Sequence, residues 1–191
     1  MIMRRAVPFA ILMSLLAACG GRDEAPVPRR RAYPRIAVAD SAYVRVAGAA
    51  MPFEANTAAE ARTDSGGRWL TLHYPVYNAD VYVTFSEVDG AEALIAVLDN
   101  RRERMSLNLN GAHASTIHVT SADGTFETAL VEAPGSGTPL QFVSTDGGRR
   151  VVSGAVRLDV PASAPYDSLQ PVVAALRRDL IHAFTNLSSD D

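Results

Sequence analysis

Lysine is missing from this 191-residue chain, and all 18 of its basic residues are arginine. An arginine-only set reads as codon bias in a GC-rich genome, with salt adaptation as a second source, and assigns no function. Cysteine occurs once, at Cys19, which excludes an internal disulfide and a cysteine-clustered metal site. An excess of positive charge is also lacking, since 21 acidic residues leave the chain at −3. Nucleic-acid binding needs a basic face to neutralise phosphates, so that function class has no support. Long apolar runs are absent too. The one at Ala6–Leu16 is far shorter than the roughly 20 residues a spanning helix requires. No serine sits in a Gly-x-Ser-x-Gly elbow, and no Ser-His-Asp order stands out. Only four histidines are present, His73, His113, His118 and His182, and the spacing of His113 and His118 is not that of zinc ligands. No metal, cofactor or catalytic group follows from these residues.

The N-terminal end carries the clearest signal. Arg4 and Arg5 precede the apolar run, and Leu16-Ala17-Ala18-Cys19 closes it with small residues, the layout of a secretory signal peptide. The closing tetrapeptide resembles a bacterial lipobox, whose cysteine is acylated and becomes the new N-terminus. The alternative is an ordinary signal peptide with an incidental cysteine. Acyl chains contribute about 0.8 kcal/mol per buried methylene, so three of them make a nearly permanent anchor. Gly20 lacks the aspartate that commonly retains lipoproteins at the inner membrane, which favours the outer membrane. Residues 20–32 are polar, hold two prolines and lack periodicity, as a flexible tether would. The expected organisation is a signal peptide over 1–18, a lipidated N-terminus and tether over 19–32, and one domain over 33–191.

Ordered structure is expected to begin near Tyr33–Val38. The segments at Tyr43–Val46 and Pro52–Ala55 read as short strands or as connecting loop. Arg68–Tyr74 alternates at period two, Pro75–Ala79 turns, and Asp80–Phe85 returns, which predicts a hairpin. Leu94, Val97, Leu98, Met105 and Leu109 recur at helical intervals, with Arg101, Arg102, Glu103 and Arg104 on the wet side. Four strand-like segments follow, at Ser115–Ser121, Thr125–Glu132, Pro139–Thr145 and Arg150–Val160. Asp123-Gly124, Pro134-Gly135-Ser136-Gly137 and Asp146-Gly147-Gly148 separate them, so an antiparallel meander is predicted. Asp167 or Ser168 caps a last helix with Pro171 in its first turn. Its stripe is Leu169, Val172, Val173, Leu176, Leu180 and Phe184, with Arg178 and His182 pointing the opposite way. The fold class is therefore α+β, an antiparallel sheet flanked by helices, and its element order is similar to the α/β/α sandwich of the Mog1/PsbP type. Such a fold analogy carries no function.

Several motifs, taken in order, resemble the GldD family of gliding-motility lipoproteins. They are Pro28–Ile36, with its Tyr-Pro-Arg-Ile end; Trp69-Leu70-Thr71-Leu72-His73-Tyr74-Pro75; and Pro139-Leu140-Gln141-Phe142-Val143-Ser144-Thr145-Asp146. Gly154-Ala155 follows, then Asp167-Ser168-Leu169-Gln170-Pro171-Val172 and Arg177-Arg178-Asp179-Leu180-Ile181-His182. The resemblance covers residues 16–187. It implies a non-enzymatic accessory lipoprotein of the gliding or associated secretion machinery, tethered in the cell envelope and contacting envelope protein partners. It transfers no catalytic residue. Family members often carry a cysteine just before the segments at Pro52-Phe53 and Trp69, which would suit a disulfide; here Ala50-Met51 and Arg68 stand in those places.

Three positions are singled out as sites. Cys19 is the lipidation site. Tyr33 and Arg35 begin the folded body beyond the tether, where a partner could read them; the plainer alternative is a solvated linker with Tyr33 tucked on the sheet edge. Two other function classes stay open. One is a ligand- or lipid-binding lipoprotein with a pocket between sheet and helices, which predicts an enclosed apolar cavity. The other is an envelope hydrolase using His73 or His118, which needs one of them beside a nucleophile or metal.

Overall fold

The computed structural model describes residues 39–160 and 166–189. The expected signal peptide and tether, with Cys19, Tyr33, Arg35 and the expected ordered start at Tyr33–Val38, lie outside the described residues.

Local pattern and turn chemistry account for most of the elements. A small antiparallel pair opens the described chain, β1 (Tyr43–Arg45) with β2 (Glu54–Asn56). Strands β3 (Glu60–Thr63), β4 (Trp69–Tyr74) and β5 (Ala79–Glu87) then run back and forth. Helix α1 (Ala91–Leu109) follows, and it ends where Asn110 turns left-handed at φ 47° and returns its N–H to the Leu107 carbonyl. The meander β6 (Ser115–Thr120), β7 (Glu127–Glu132), β8 (Leu140–Thr145) and β9 (Arg150–Leu158) comes next, and helix α2 (Tyr166–Thr185) closes the order.

The main sheet has seven strands in the order β3-β4-β5-β9-β8-β7-β6, antiparallel throughout. This order explains the place of α1. After β5 the chain must reach the far edge to begin β6, so it crosses one face as a helix, then steps back strand by strand until β9 pairs with β5. Alternation sorts the side chains. Leu70, Leu72, Val81, Val83, Phe85, Leu130, Leu140, Phe142, Val152 and Val156 are buried on one face, against Val172, Val173, Leu176, Leu180 and Phe184 of α2 and Phe53 of the small pair. Each such apolar side chain contributes about 1.5–3 kcal/mol when fully buried. Val143 and Val151, on the opposite face, pack under Leu94, Val97, Leu98 and Met105 of α1. A helix thus packs on each face of an antiparallel sheet, which is the expected α+β architecture.

Three details differ from expectation. Strand β3 has no sequence signal, because Glu60-Ala61-Arg62-Thr63 is exposed at every position and shows no alternation. Helix α2 begins at Tyr166, ahead of the expected cap, so Asp167 lies within its first turn and Pro171 inside the helix. His182 does not stand free on the wet face of α2. The small β1–β2 pair flanks that side of the helix, and the His182 ring stacks on Tyr43 at 3.5 Å between centroids.

The two places where the family resemblance implies cysteines are brought together. Ala50 donates its N–H to the Gly67 carbonyl at 2.8 Å, next to Arg68. Gly67 is left-handed at φ 65°, and a Cβ there would fall 2.3 Å from the Gly48 carbonyl. Backbone contact holds this junction.

Candidate functional site

Two polar clusters stand out from the apolar framework. The first is buried. Asp179 lies on the packed side of α2 at 5 % exposure, in register with Leu176 and Ala183. Its Oδ1 accepts hydrogen bonds from the Tyr43 hydroxyl at 2.9 Å, Asn56 Nδ2 at 3.4 Å and Arg178 Nη2 at 3.4 Å, and its Oδ2 accepts one from the Tyr74 hydroxyl at 3.4 Å. A buried carboxylate is tolerated only with such a set of donors. Burial first, and then the Asp179 charge, pushes the Tyr74 hydroxyl far above its ordinary range. Burial and the hydrogen bond to Asp179 raise Tyr43 as well. Both phenols therefore keep their protons and donate.

The same cluster grips the start of the described chain. Asn56 Nδ2 donates to the Asp40 carbonyl at 2.9 Å, the Ala39 N–H donates to the Tyr77 hydroxyl at 2.8 Å, and Arg178 reaches the Ala39 carbonyl at 3.4 Å. His182 Nε2 lies 2.7 Å from Glu54 Oε2, tying α2 to β2. No side chain here offers an exposed nucleophile; the arrangement can clamp the chain arriving from the N-terminal side.

The second cluster is open. Helix α1 covers β8 and β9 but not the β4–β5 part of its face. There Trp69 and Tyr82 stand 67 % and 42 % exposed. His73 Nδ1 lies 2.8 Å from Asp80 Oδ1, and the Tyr82 hydroxyl donates to Asp80 Oδ2 at 3.3 Å. A carboxylate on Nδ1 leaves Nε2 as the free ring nitrogen, but among the described residues no nucleophile lies within hydrogen-bond reach of it. Two clefts border this face. One, about 680 Å³, is lined by Arg68, Trp69, Thr84, Glu87, Asp89, Arg101 and Arg149 among others. The other, about 150 Å³, lies between α1 and the sheet, with Tyr82, Arg104, Asn108, Gln141 and Ser153 in its walls.

The expectation of an enclosed apolar cavity meets a different interior. Phe53, Phe126, Phe142 and Phe184 fill the space between α2 and the sheet, and the clefts just described open to solvent beside α1. The other histidines do not join His73. His113 and His118 are exposed at the β6 end of the sheet, and the strand order places β6 five strands from β4. Among the described residues no three His, Cys, Asp or Glu side chains gather as a metal-holding group, and no helix is long and apolar enough to cross a membrane.

Asp179 carries a sequence signal of its own. The spacing Val172, Leu176, Asp179, Ala183 sets a carboxylate in the apolar stripe itself, where only a partnered one can stay.

A family model described as gliding motility lipoprotein GldD matches residues 23–188 of the chain. No curated protein matches it.

Proposed function

We propose a function from one premise: the chain belongs to the gliding motility lipoprotein GldD family. The protein acts as a non-enzymatic accessory component of the gliding or associated secretion apparatus. It is lipid-anchored through Cys19, at the outer membrane, and its folded body contacts protein partners of the envelope, with Tyr33 and Arg35 at the contact. The single observation that carries this reading is the family match, which runs through nearly the whole chain beyond the expected signal peptide. The clamp around Asp179 supports it, because a tethered body must hold firmly to the chain that leads to its anchor.

Deleting the gene is expected to abolish colony spreading, with recovery on complementation by the parent chain and not by Cys19→Ala. Cell fractionation should find the parent chain in membranes and the variant outside them. Motility that survives deletion, together with a tagged protein that co-purifies no envelope component, would sink the reading.

A second reading, capture of a ligand by the envelope-tethered body, is favoured by one observation. The clefts beside α1 put exposed aromatic rings and arginines on an otherwise uncovered sheet face.

A further inference from the structure

The uncovered face combines features that separately are unremarkable. Trp69 pairs with Thr84 and Thr71 with Tyr82 across β4 and β5, so two aromatic rings and two hydroxyls share one side of the sheet. On β9 the row ends, since Ser153, opposite Thr84, is buried. Arg101 and Thr84 line both clefts, so the two form one continuous shelf along the helix.

The charge on the shelf runs against that of the chain. Four arginines, Arg68, Arg101, Arg104 and Arg149, line the clefts against two acids, Glu87 and Asp89, and the face beside them adds a third, Asp80, in a protein of net charge −3. Each acid is already engaged, Asp89 with Arg149 at 3.0 Å, Glu87 with Arg150 at 3.9 Å and Asp80 with His73 at 2.8 Å. Arg68, Arg101 and Arg104 have no acidic partner within 4 Å among the described residues.

We infer that this shelf binds an acidic polysaccharide, a chain of uronic-acid-type sugars laid along α1. The chemistry favours that class over an acidic peptide. The C–H face of a pyranose ring is apolar and flat, and it suits the exposed Trp69 and Tyr82 rings. Sugar hydroxyls find Thr71, Thr84 and the His73–Asp80 pair. Carboxylates find guanidinium groups, which grip them in a planar, two-pronged way. A peptide would want side-chain-sized apolar pockets or a bare strand edge, and the nearest edge, β3, carries Glu60 and Arg62.

This inference rests on the ligand-capture reading and is independent of the motility one. The test uses the full-length chain in detergent micelles and titrates alginate, neutral dextran and polyglutamate of matched length. Alginate is expected to bind, dextran at least tenfold more weakly, and polyglutamate at least tenfold more weakly. Trp69→Ala and Arg101→Gln with Arg104→Gln should each weaken alginate at least tenfold, with raised salt weakening it further. Circular dichroism of the variants, unchanged from the parent, keeps lost binding distinct from lost folding. Polyglutamate binding as tightly as alginate, with Trp69→Ala silent, overturns the polysaccharide while leaving ligand capture in place. No binding by any of the three overturns both.

Discussion

Asp179 depends on its donors, and Tyr43, Asn56, Tyr74 and Arg178 depend on it in turn. Removing the carboxylate leaves the Tyr43 and Tyr74 hydroxyls without that acceptor, each costing about 1–3 kcal/mol, while Asn56 and Arg178 keep the Asp40 and Ala39 carbonyls. Asp179→Ala is therefore expected to lower stability by about 3–5 kcal/mol, and Asp179→Asn, which keeps an acceptor oxygen, by clearly less. Urea unfolding of the two variants checks this; an alanine variant within 0.5 kcal/mol of the parent would dissolve the clamp. Gly154 makes the complementary case, where an added atom does the damage. A Cβ there would lie 1.9 Å from the Tyr82 carbonyl and 2.4 Å from the Phe142 ring. Gly154→Ala should cost about 1–3 kcal/mol by overpacking, read as a lower unfolding midpoint with no change in slope.

Helix α1 is the least deeply packed of the two helices, and its fully buried contact is Leu94. Leu94→Ala should destabilise by about 2–3 kcal/mol, whereas Leu107→Ala, at a position 71 % exposed, should stay within about 0.5 kcal/mol. Equal effects would mean the helix is seated differently. Elements such as α1 and the β4–β5 hairpin were legible because burial on one side writes a period into the sequence, 3.6 for Leu94-Val97-Leu98 and 2 for Leu70-Leu72-Tyr74, and the meander was legible from its turns. Strand β3 was not legible, since an edge strand with every side chain in water has no face to declare. The polar sites were hidden for another reason. Tyr43, Asn56, Tyr74 and Asp179 meet only through tertiary packing, and the shelf exists because α1 crosses β8 and β9 and stops short of β4. Of the sites read from sequence, Cys19, Tyr33 and Arg35 fall outside the described residues, and His73 gained a carboxylate partner that no spacing announced.

At the scale of the molecule, turns set the response to acid. Partial burial works to raise the Asp146 carboxyl, but the amides of Arg150, Gly148 and Arg149, donating to it at 2.8–2.9 Å, outweigh that and hold it below the ordinary 3.8. Asp64 is lowered by the Trp69 amide, and Asp123 by the Ser121 hydroxyl and the Thr125 amide. A carboxyl depressed in the folded state stabilises above its unfolded value and loses that contribution as pH falls through the folded one. Stability should thus hold level through neutral pH and decline below about pH 4, less steeply in Asp146→Asn. Urea midpoints measured at stepped pH decide the matter; an equally steep decline in the variant would acquit this turn.

The grip on Ala39 and Asp40 has a mechanical consequence. A pull along the arriving chain reaches the protein on the α2 side of the sheet, through side chains of α2, Asn56 and Tyr77, before it can load any ladder of the seven strands. The three-residue β1–β2 pair stands next in line to take the load. Under tension it should peel away first, while the opposite face, with Trp69 and its arginines, keeps its shape.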